Sequence, residues 1–305
     1  MAARRTREER ARTARAALEQ RTAWLLILPS LILALFIIAY PFYILVKMSV
    51  YSVSPFGLLR QFVGWQNFAH ILADPVFIAT VWRTIIWTVA VVGGSVLIAV
   101  PVALILNENF IGRGVARTIV MLPWSISLTM TAIVWLWAFD ANHGMINGIF
   151  QSAGLIREPV QWMARASTAF PIEIAVGILV TIPFTVTIFL GGLSSIPGDI
   201  YEAARMDGAS WGYQFRRLTL PLMRPFINLA IVLNVIYVFN SFPIIWVMTQ
   251  GGPDNGTHIL VTYLYELAFR LGRPGDAAAV SVIMLVLLFL FTAVYLRVQA
   301  RGEAS

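Results

Sequence analysis

The sequence has no cysteine, a single lysine and few charged residues of either sign. Without cysteine it can form neither a disulfide nor a thiolate-ligated metal site. Its three histidines, His70, His143 and His258, lie far apart along the chain, which argues against a clustered metal site. The one lysine, Lys47, stands in Leu-Val-Lys-Met-Ser and not in a glycine-rich phosphate-binding loop. The sequence therefore predicts a protein that is not an enzyme, has no metal or cofactor of its own and does not hydrolyse ATP.

What the sequence has in abundance is apolar residues, which make up 59% of its 305 positions, while charged residues make up only 12%. An ordinary soluble domain carries about 25% charged residues. A helix needs about 20 apolar residues to cross the hydrocarbon core of a bilayer, and backbone groups in lipid must be bonded within their own segment. The sequence thus predicts an all-α membrane protein with six transmembrane helices, none containing Asp, Glu, Lys or Arg: Trp24–Val46, Thr84–Leu106, Thr118–Phe139, Ile174–Ile196, Phe226–Gln250 and Ala277–Leu296.

The basic residues predict how these helices are oriented. If the N-terminus is inside, the inside segments hold fifteen of the 22 Lys and Arg residues and the outside segments hold seven. Because basic residues accumulate on the cytoplasmic side, both termini of this multi-pass protein are expected there. Residues 1–23 are then a basic cytosolic arm, which is either solvated or in contact with anionic lipid, residues 24–298 form the membrane domain, and residues 299–305 form a cytosolic tail. The long outside loops are expected to form short helices, one of them with Glu266 and Arg270 four residues apart.

Polar residues and helix-breaking residues inside the spans have two interpretations. Pro183 kinks the fourth span between Thr181 and Thr185, and the fifth span carries Asn234 and, seven residues later on the same helical face, Ser241. Such groups suit a polar substrate pathway, because amides and hydroxyls bond to sugar hydroxyls. They equally suit helix packing and hydrogen bonds between helices.

The predicted cytoplasmic loop, residues 197–225, carries the most specific pattern. Asp199 is predicted to cap a helix beginning near Ile200, Gly208 to end it, and a second short helix to follow over Ser210–Leu218. Two short helices joined by a glycine form a projecting knob, although an ordinary cytoplasmic hairpin would have the same pattern.

This loop resembles the Glu-Ala-Ala motif of the membrane subunits of ABC importers. The match consists of Glu202-Ala203-Ala204, then Asp207-Gly208-Ala209 and Thr219-Leu220-Pro221. Segments such as Gly144-Met145-Ile146-Asn147 and Gly251-Gly252-Pro253 resemble the carbohydrate branch of that family, in particular the first of its two unlike permeases. A tryptophan common in that branch a few residues before Pro183 is replaced here by Val180-Thr181-Ile182.

The resemblance implies a type I ABC importer permease that forms half of a sugar pathway. Its partners would be a second homologous permease in a heterodimer, a dimeric ATPase that binds ATP and Mg²⁺, an extracytoplasmic sugar-binding protein and membrane lipid, with no nucleic acid. An ion-coupled secondary transporter is the alternative, and it would normally show a charged residue within the membrane. The residues expected to couple to the ATPase are Tyr201, Glu202, Ala203, Ala204, Asp207, Gly208, Leu220 and Pro221. The residues expected to line the pathway are Gly177, Val180, Thr181, Phe184, Asn234, Asn240 and Ser241.

Overall fold

The computed structural model describes the backbone of residues 2–303 and the side chains of residues 20–297 and of Gln299. Most side chains of the predicted arm (residues 1–23) and tail (residues 299–305) therefore lie outside the described residues. The described helices are α1 Ala2–Ser49, α2 Gln66–Leu72, α3 Pro75–Asn107, α4 Arg113–Ser125, α5 Leu128–Ala138, α6 Met145–Ser152, α7 Ala166–Ser194, α8 Gly198–Met206, α9 Trp211–Gln214, α10 Leu220–Phe239, α11 Pro243–Met248, α12 Leu260–Tyr265 and α13 Pro274–Glu303. Short turns of other helix types cover Trp162–Ala164, Phe215–Thr219 and Glu266–Arg270.

Five helical stretches within residues 2–303 are long and apolar enough to cross a membrane, and a bent pair supplies a sixth. The bent pair is α4 and α5, which meet at 93°. The prediction of one continuous third span is therefore wrong. Pro123 has no N–H to donate to the preceding turn, and Ile126 and Ser127 then adopt extended backbone, which ends the helix.

The predicted fifth span is also interrupted. Helix α10 ends at Phe239, and α11 begins at Pro243, which cannot donate a hydrogen bond to Phe239. The sequence had predicted that Asn234 and Ser241 lie on one face of a continuous helix. The helix ends between them, so this prediction is wrong.

Several helices begin well before the predicted spans and include charged residues. Arg83 lies within α3, Glu173 within α7 and Asp276 at the start of α13. Arg83 donates to the carbonyl oxygen of His258 at 3.0 Å, and Asp276 accepts from Arg273 at 2.6 Å. These three residues lie just outside the predicted spans, which contain no charged residue, but the observed helices extend far enough to include them. Arg83 and Asp276 are held by the partners named above.

The centre of the bundle is the contact between α3 and α7, where glycines allow the helices to approach. An added Cβ at Gly177 would lie 2.9 Å from atoms of both Trp87 and Val91, and one at Gly94 would lie 2.5 Å from Ile178. Trp87 is fully buried and donates from its indole nitrogen to the carbonyl oxygen of Val238 on α10 at 3.0 Å. These contacts join α3, α7 and α10 into one core.

The first predicted outside loop is only partly helical. It contains α2, as expected for a short helix, but also a two-stranded antiparallel hairpin of β1 Tyr51–Val53 and β2 Leu59–Phe62. Asn67 ties α2 to this region, because its side-chain nitrogen donates to the carbonyl oxygens of Ser49 and Tyr51 at 2.9 Å.

The second predicted outside loop folds around one buried side chain. Asn147, only 3% exposed, donates to the carbonyl oxygens of Ala141 and Val160. Its side-chain oxygen accepts from the backbone of Val160 at 3.2 Å and from the indole nitrogen of Trp162 at 2.8 Å. A single amide thus satisfies four partners and holds the two ends of the segment together.

We expect Asn147→Ala to release this segment without disturbing the transmembrane core. The substitution leaves the half-buried indole N–H of Trp162 and the backbone N–H of Val160 without their acceptor, at a cost of up to about 1–3 kcal/mol each. Limited proteolysis should therefore cleave residues 140–165 faster, and the fluorescence of Trp162 should shift towards that of a solvated indole. Asn142→Ala, at an exposed position in the same segment, is the control. Equal protease resistance of the two variants would contradict the role given to Asn147.

Candidate functional site

The Glu-Ala-Ala loop forms two short helices, as predicted, but starts differently. Helix α8 begins at Gly198 with Pro197 as its N-cap, and no side chain caps it. The predicted cap at Asp199 is therefore wrong. Asp199 lies in the first turn, where its carboxylate interacts favourably with the helix dipole. Ser210 caps α9, because its hydroxyl oxygen accepts from the backbone of Tyr213.

Gly208 ends the first helix, as predicted. Its φ of +77° lies in the left-handed region, and its N–H donates to the carbonyl oxygen of Arg205 at 3.0 Å. The N–H of Ala209 donates to the carbonyl oxygen of Ala204 at 2.9 Å, which closes the end of α8. We call residues 198–219, which form α8, the glycine turn, α9 and the π-helical turn, the coupling knob.

Two side-chain hydrogen bonds link the segments of the coupling knob to each other. The hydroxyl groups of Tyr201 and Thr219 lie 3.0 Å apart, so the two arms of the knob are joined by a hydrogen bond. The side-chain nitrogen of Gln214 donates to the carbonyl oxygen of Ala209 at 2.8 Å, which fixes the turn after Gly208. A cavity of about 670 Å³ separates the knob from the turn between α3 and α4. The knob is therefore stiff within itself and contacts the bundle mainly at its base.

The outer surface of the coupling knob is exposed and partly apolar. Met206 is 89% exposed and Trp211 is 70% exposed, and they lie on either side of Gly208. Large apolar side chains exposed together mark an interaction surface. The predicted coupling residues divide into an exposed set and a half-buried set at the base of the knob. The exposed set is Glu202, Ala203, Asp207, Gly208 and Leu220, and the half-buried set is Tyr201, Ala204 and Pro221.

Five of the seven predicted pathway residues lie inside the chain. Buried are Gly177, Val180, Thr181, Asn234 and Ser241. Thr181 donates to the carbonyl oxygen of Gly177 at 2.7 Å, and the side-chain nitrogen of Asn234 donates to the hydroxyl oxygen of Thr185 at 2.8 Å. These bonds lie within α7 and between α7 and α10, while the side-chain oxygen of Asn234 is buried without a hydrogen-bond partner among the described residues.

The other two predicted pathway residues, Asn240 and Phe184, are not buried. Asn240 is exposed at the break between α10 and α11, and its side-chain nitrogen donates to the carbonyl oxygen of Ile236. Phe184 is half-buried, with its ring centroid 6.0 Å from that of Trp124. Ser241 follows Asn240 but is only 7% exposed. Asn240 and Phe184 are therefore the two of the seven that this chain leaves at least partly accessible.

Sequence reasoning missed two neighbours of Phe184. Trp124 is 58% exposed, and the exposed Thr187 lies one turn further along α7, where its hydroxyl donates to the carbonyl oxygen of Pro183. Trp124 could have been found from Leu122-Pro123-Trp124, because the proline that bends the helix also presents this ring. Thr187 had no comparable signal.

The predicted pair of Glu266 and Arg270 is present. The two side chains lie 3.6 Å apart, and the guanidinium carbon of Arg270 is 4.8 Å from the ring centroid of Trp246. Trp246 in turn contacts Tyr265 with 4.5 Å between ring centroids. This group joins α11 to α12 at the end of the bundle opposite the coupling knob.

The known proteins that this chain resembles are membrane components of transport systems. Residues 95–302 match the family described as binding-protein-dependent transport system inner membrane component. A probable ABC transporter permease protein of Brucella suis is 58% identical, with 92% of this chain and 98% of that protein covered. The trehalose/maltose transport system permease protein MalF of Thermococcus litoralis is 33% identical, with 92% and 94% covered. The sulfoquinovosyl glycerol transport system permease protein SmoG of Agrobacterium fabrum is also 33% identical, with 90% and 89% covered.

Among solved structures, a chain of a bacterial alginate ABC transporter has the same fold. That transporter was crystallised in complex with an alginate pentasaccharide-bound periplasmic protein. The TM-score is 0.79 at 23% sequence identity, with 91% of this chain and 93% of that chain covered.

Proposed function

The chain belongs to the family of binding-protein-dependent transport system inner membrane components, and from this premise we propose that it forms half of the translocation pathway of an ATP-driven carbohydrate importer. Within this family the chain is the membrane-spanning, non-catalytic subunit, which agrees with the absence of a phosphate-binding loop from its sequence. The membership gives no support to an ion-coupled secondary transporter.

The proposed substrate class follows from the relatives. One is described as transporting trehalose and maltose, and another as transporting sulfoquinovosyl glycerol. These compounds share sugar rings with several hydroxyl groups but differ in charge and size. The proposal therefore names a sugar or sugar derivative as the class, and the extracytoplasmic binding protein as the partner that selects within it.

The coupling knob is the observation that carries the proposal. It is an exposed, internally braced pair of short helices with two large apolar side chains at its tip. We propose that the knob inserts into a cleft of a separate ATPase dimer, which binds ATP and Mg²⁺. Closure of the dimer on ATP would then move the knob and open the bundle to the outside. The binding protein can shift this equilibrium only by its differential affinity for the two states.

The pathway half is proposed to face a second, homologous permease. The exposed side chains of Asn240 and Trp124, with the half-buried Phe184 beside Trp124, support this surface, because an exposed amide is costly on a helix that faces lipid. Helix α1 also needs covering, since the apolar window of its membrane segment is not buried within this chain. Lipid and the second permease together would cover these surfaces.

Gentle affinity purification of the chain from its native membrane tests the proposal directly. We expect an ATPase and a second permease of similar size to co-purify and to be identified by mass spectrometry. The binding protein encoded beside them can then be screened against neutral and anionic sugars. Recovery of a homo-oligomer without any ATPase would contradict the proposal.

A further inference from the structure

Glu173 is a buried acid that the proposed transport cycle does not use. It lies in the second turn of α7 and is 0% exposed. One carboxyl oxygen, Oε1, lies 2.7 Å from the hydroxyl oxygen of Thr249, while the other, Oε2, is buried and has no hydrogen-bond partner among the described residues. A buried carboxylate without a partner for its charge is very costly, so the group must be either paired or neutral.

No ion pair among the described residues includes Glu173. The titratable groups on the surrounding elements are engaged elsewhere or exposed. Arg83 on α3 donates to the carbonyl oxygen of His258, and Arg270 lies against Glu266 and Trp246. Arg165, just before α7, is exposed.

His258 does not supply a positive charge near Glu173 either. Burial, together with the charges of Arg83 and Arg270, lowers the pKa of His258 to about 4. The ring is therefore neutral at ordinary pH. Pairing with a cation thus does not account for the burial of Glu173.

The hydrogen bonds around Glu173 favour the protonated form, because the contacts between oxygen atoms along this chain outnumber the available hydrogens. From Glu173 the chain passes to Thr249 at 2.7 Å, from Thr249 to the hydroxyl oxygen of Thr257 at 2.6 Å, and from Thr257 to the carbonyl oxygen of Gly252 at 2.9 Å. Each of these three contacts between oxygen atoms needs one hydrogen, and the two threonine hydroxyls supply only two. The hydroxyl of Thr249 also lies 3.1 Å from the carbonyl oxygen of Ile245, which adds to the demand.

The carbonyl oxygen of Gly252 can only accept, so Thr257 donates to it. The hydroxyl of Thr249 has three oxygen atoms within reach, those of Glu173, Thr257 and Ile245, and one hydrogen to give. A proton on Glu173 lets Glu173 donate to Thr249 and lets Thr249 donate to Thr257. An ionised Glu173 would leave one pair of oxygens 2.6–2.9 Å apart with no hydrogen between them.

We propose that Glu173 carries a proton and serves as a positioning residue, whose O–H begins a hydrogen-bond chain that holds residues 249–257 against the start of α7. The segment follows the last turn of α11, and at its other end Gly256 packs so closely on Ala166 that an added Cβ would lie 2.5 Å from the Ala166 Cβ. Gln250, Asp254 and Asn255 all have positive φ values, between 51° and 56°. Such backbone persists only where its surroundings hold it in place.

The consequence of this positioning for transport rests on the proposed function. In the proposed orientation residues 249–257 lie outside, between the fifth and sixth spans, where the binding protein delivers the sugar. A segment held by a neutral chain of hydrogen bonds presents a fixed surface to that protein and places no buried charge beside the pathway.

Infrared spectroscopy of the purified full-length chain in detergent tests the protonation directly. At about pH 7 an unperturbed glutamate is ionised. The difference spectrum between the wild-type protein and Glu173→Gln should nevertheless show the C=O stretching band of a protonated carboxylic acid. Glu158→Gln, at an exposed glutamate, is the matched control and should show only a carboxylate band. A carboxylate band for Glu173 would overturn the proposal.

Limited proteolysis at Asp254 tests the positioning role. Glutamine can donate to Thr249 as a neutral acid does, so Glu173→Gln should be cleaved at the wild-type rate. Glu173→Ala and Thr249→Val break the chain and should each be cleaved roughly tenfold faster, as expected when a buried hydrogen bond is lost. If glutamine behaves like alanine, the neutral chain is wrong. Neither experiment involves an ATPase or a transported sugar, so failure of the importer proposal would leave both results interpretable.

Discussion

Replacing Gly208 by Asp is expected to reduce sugar uptake by at least about tenfold while the chain still folds and reaches the membrane. The residue has a φ of +77°, and an added Cβ would meet nothing within 4 Å, so a side chain here projects into open space. Aspartate tolerates the left-handed region at a cost of roughly 1 kcal/mol. Its charge would lie beside Asp207 at the surface proposed to enter the ATPase. An unpaired charge in such an interface costs several kcal/mol, which corresponds to a loss of affinity of more than about tenfold.

The matched control is Gly57→Asp. Gly57 also has a positive φ, of 79°, and open space around its Cβ, but it lies in the hairpin at the other end of the bundle. Both variants therefore carry the same local strain and the same added charge. Uptake and binding-protein-stimulated ATP hydrolysis, measured in proteoliposomes with the complete transporter, should fail only for Gly208→Asp. Equal sugar uptake by both variants would contradict the proposal that the knob couples the chain to the ATPase.

Replacing Gly177 by Leu is expected to prevent the transmembrane core from packing, so that little folded protein is recovered. Even a methyl group at this position would lie 2.9 Å from Trp87 and Val91, which are both buried. Overpacking of this kind costs about 1–3 kcal/mol for small additions and more for a whole leucine side chain. The effect should appear as a lower thermal midpoint and a lower yield in detergent, before any substrate is present.

Gly191→Leu is the control, because Gly191 lies on the same helix, is exposed, and has nothing within 4 Å of its added Cβ. It should fold normally. The comparison separates helix packing from the predicted pathway role of Gly177. A Gly177→Leu protein that is as stable as the control but transports a different range of sugars would support the pathway role instead.

The number of spans could be predicted because bilayer thickness dictates how long an apolar segment must be. The breaks at Ile126 and Asn240 could not, since proline inside a membrane helix is tolerated in some contexts and ends the helix in others. The difference depends on which neighbouring groups satisfy the freed carbonyl oxygens. The coupling knob was predictable in outline because Gly208 and Ser210 act locally. The cap at Asp199 failed because Pro197 moved the helix start back to Gly198.

The sequence could not distinguish buried from exposed residues among those predicted to line the pathway. Asn234 and Asn240 are the same residue type on the same predicted span, yet one is fully buried against Thr185 and the other is exposed. Periodicity gives the face of a helix but not what packs against that face. The sequence placed Glu173 in the loop before the fourth span, because a charged residue lowers the hydropathy and the predicted span therefore began at Ile174. A proton that neutralises a buried acid has no signature in the sequence.

The break between α10 and α11 has a mechanical consequence. Helix α10 begins where the coupling knob ends and runs for 20 residues, or about 30 Å, to Asn240. A rod of this length that tilts by about 10° about one end moves its other end by about 5 Å. Because α10 ends at Phe239 and α11 begins again at Pro243, with α11 packed against α5, the tilt that the proposed coupling would impose on α10 need not be passed on to α11. In the proposed transport cycle, a movement supplied at one membrane face would reach the other as a displacement of Asn240.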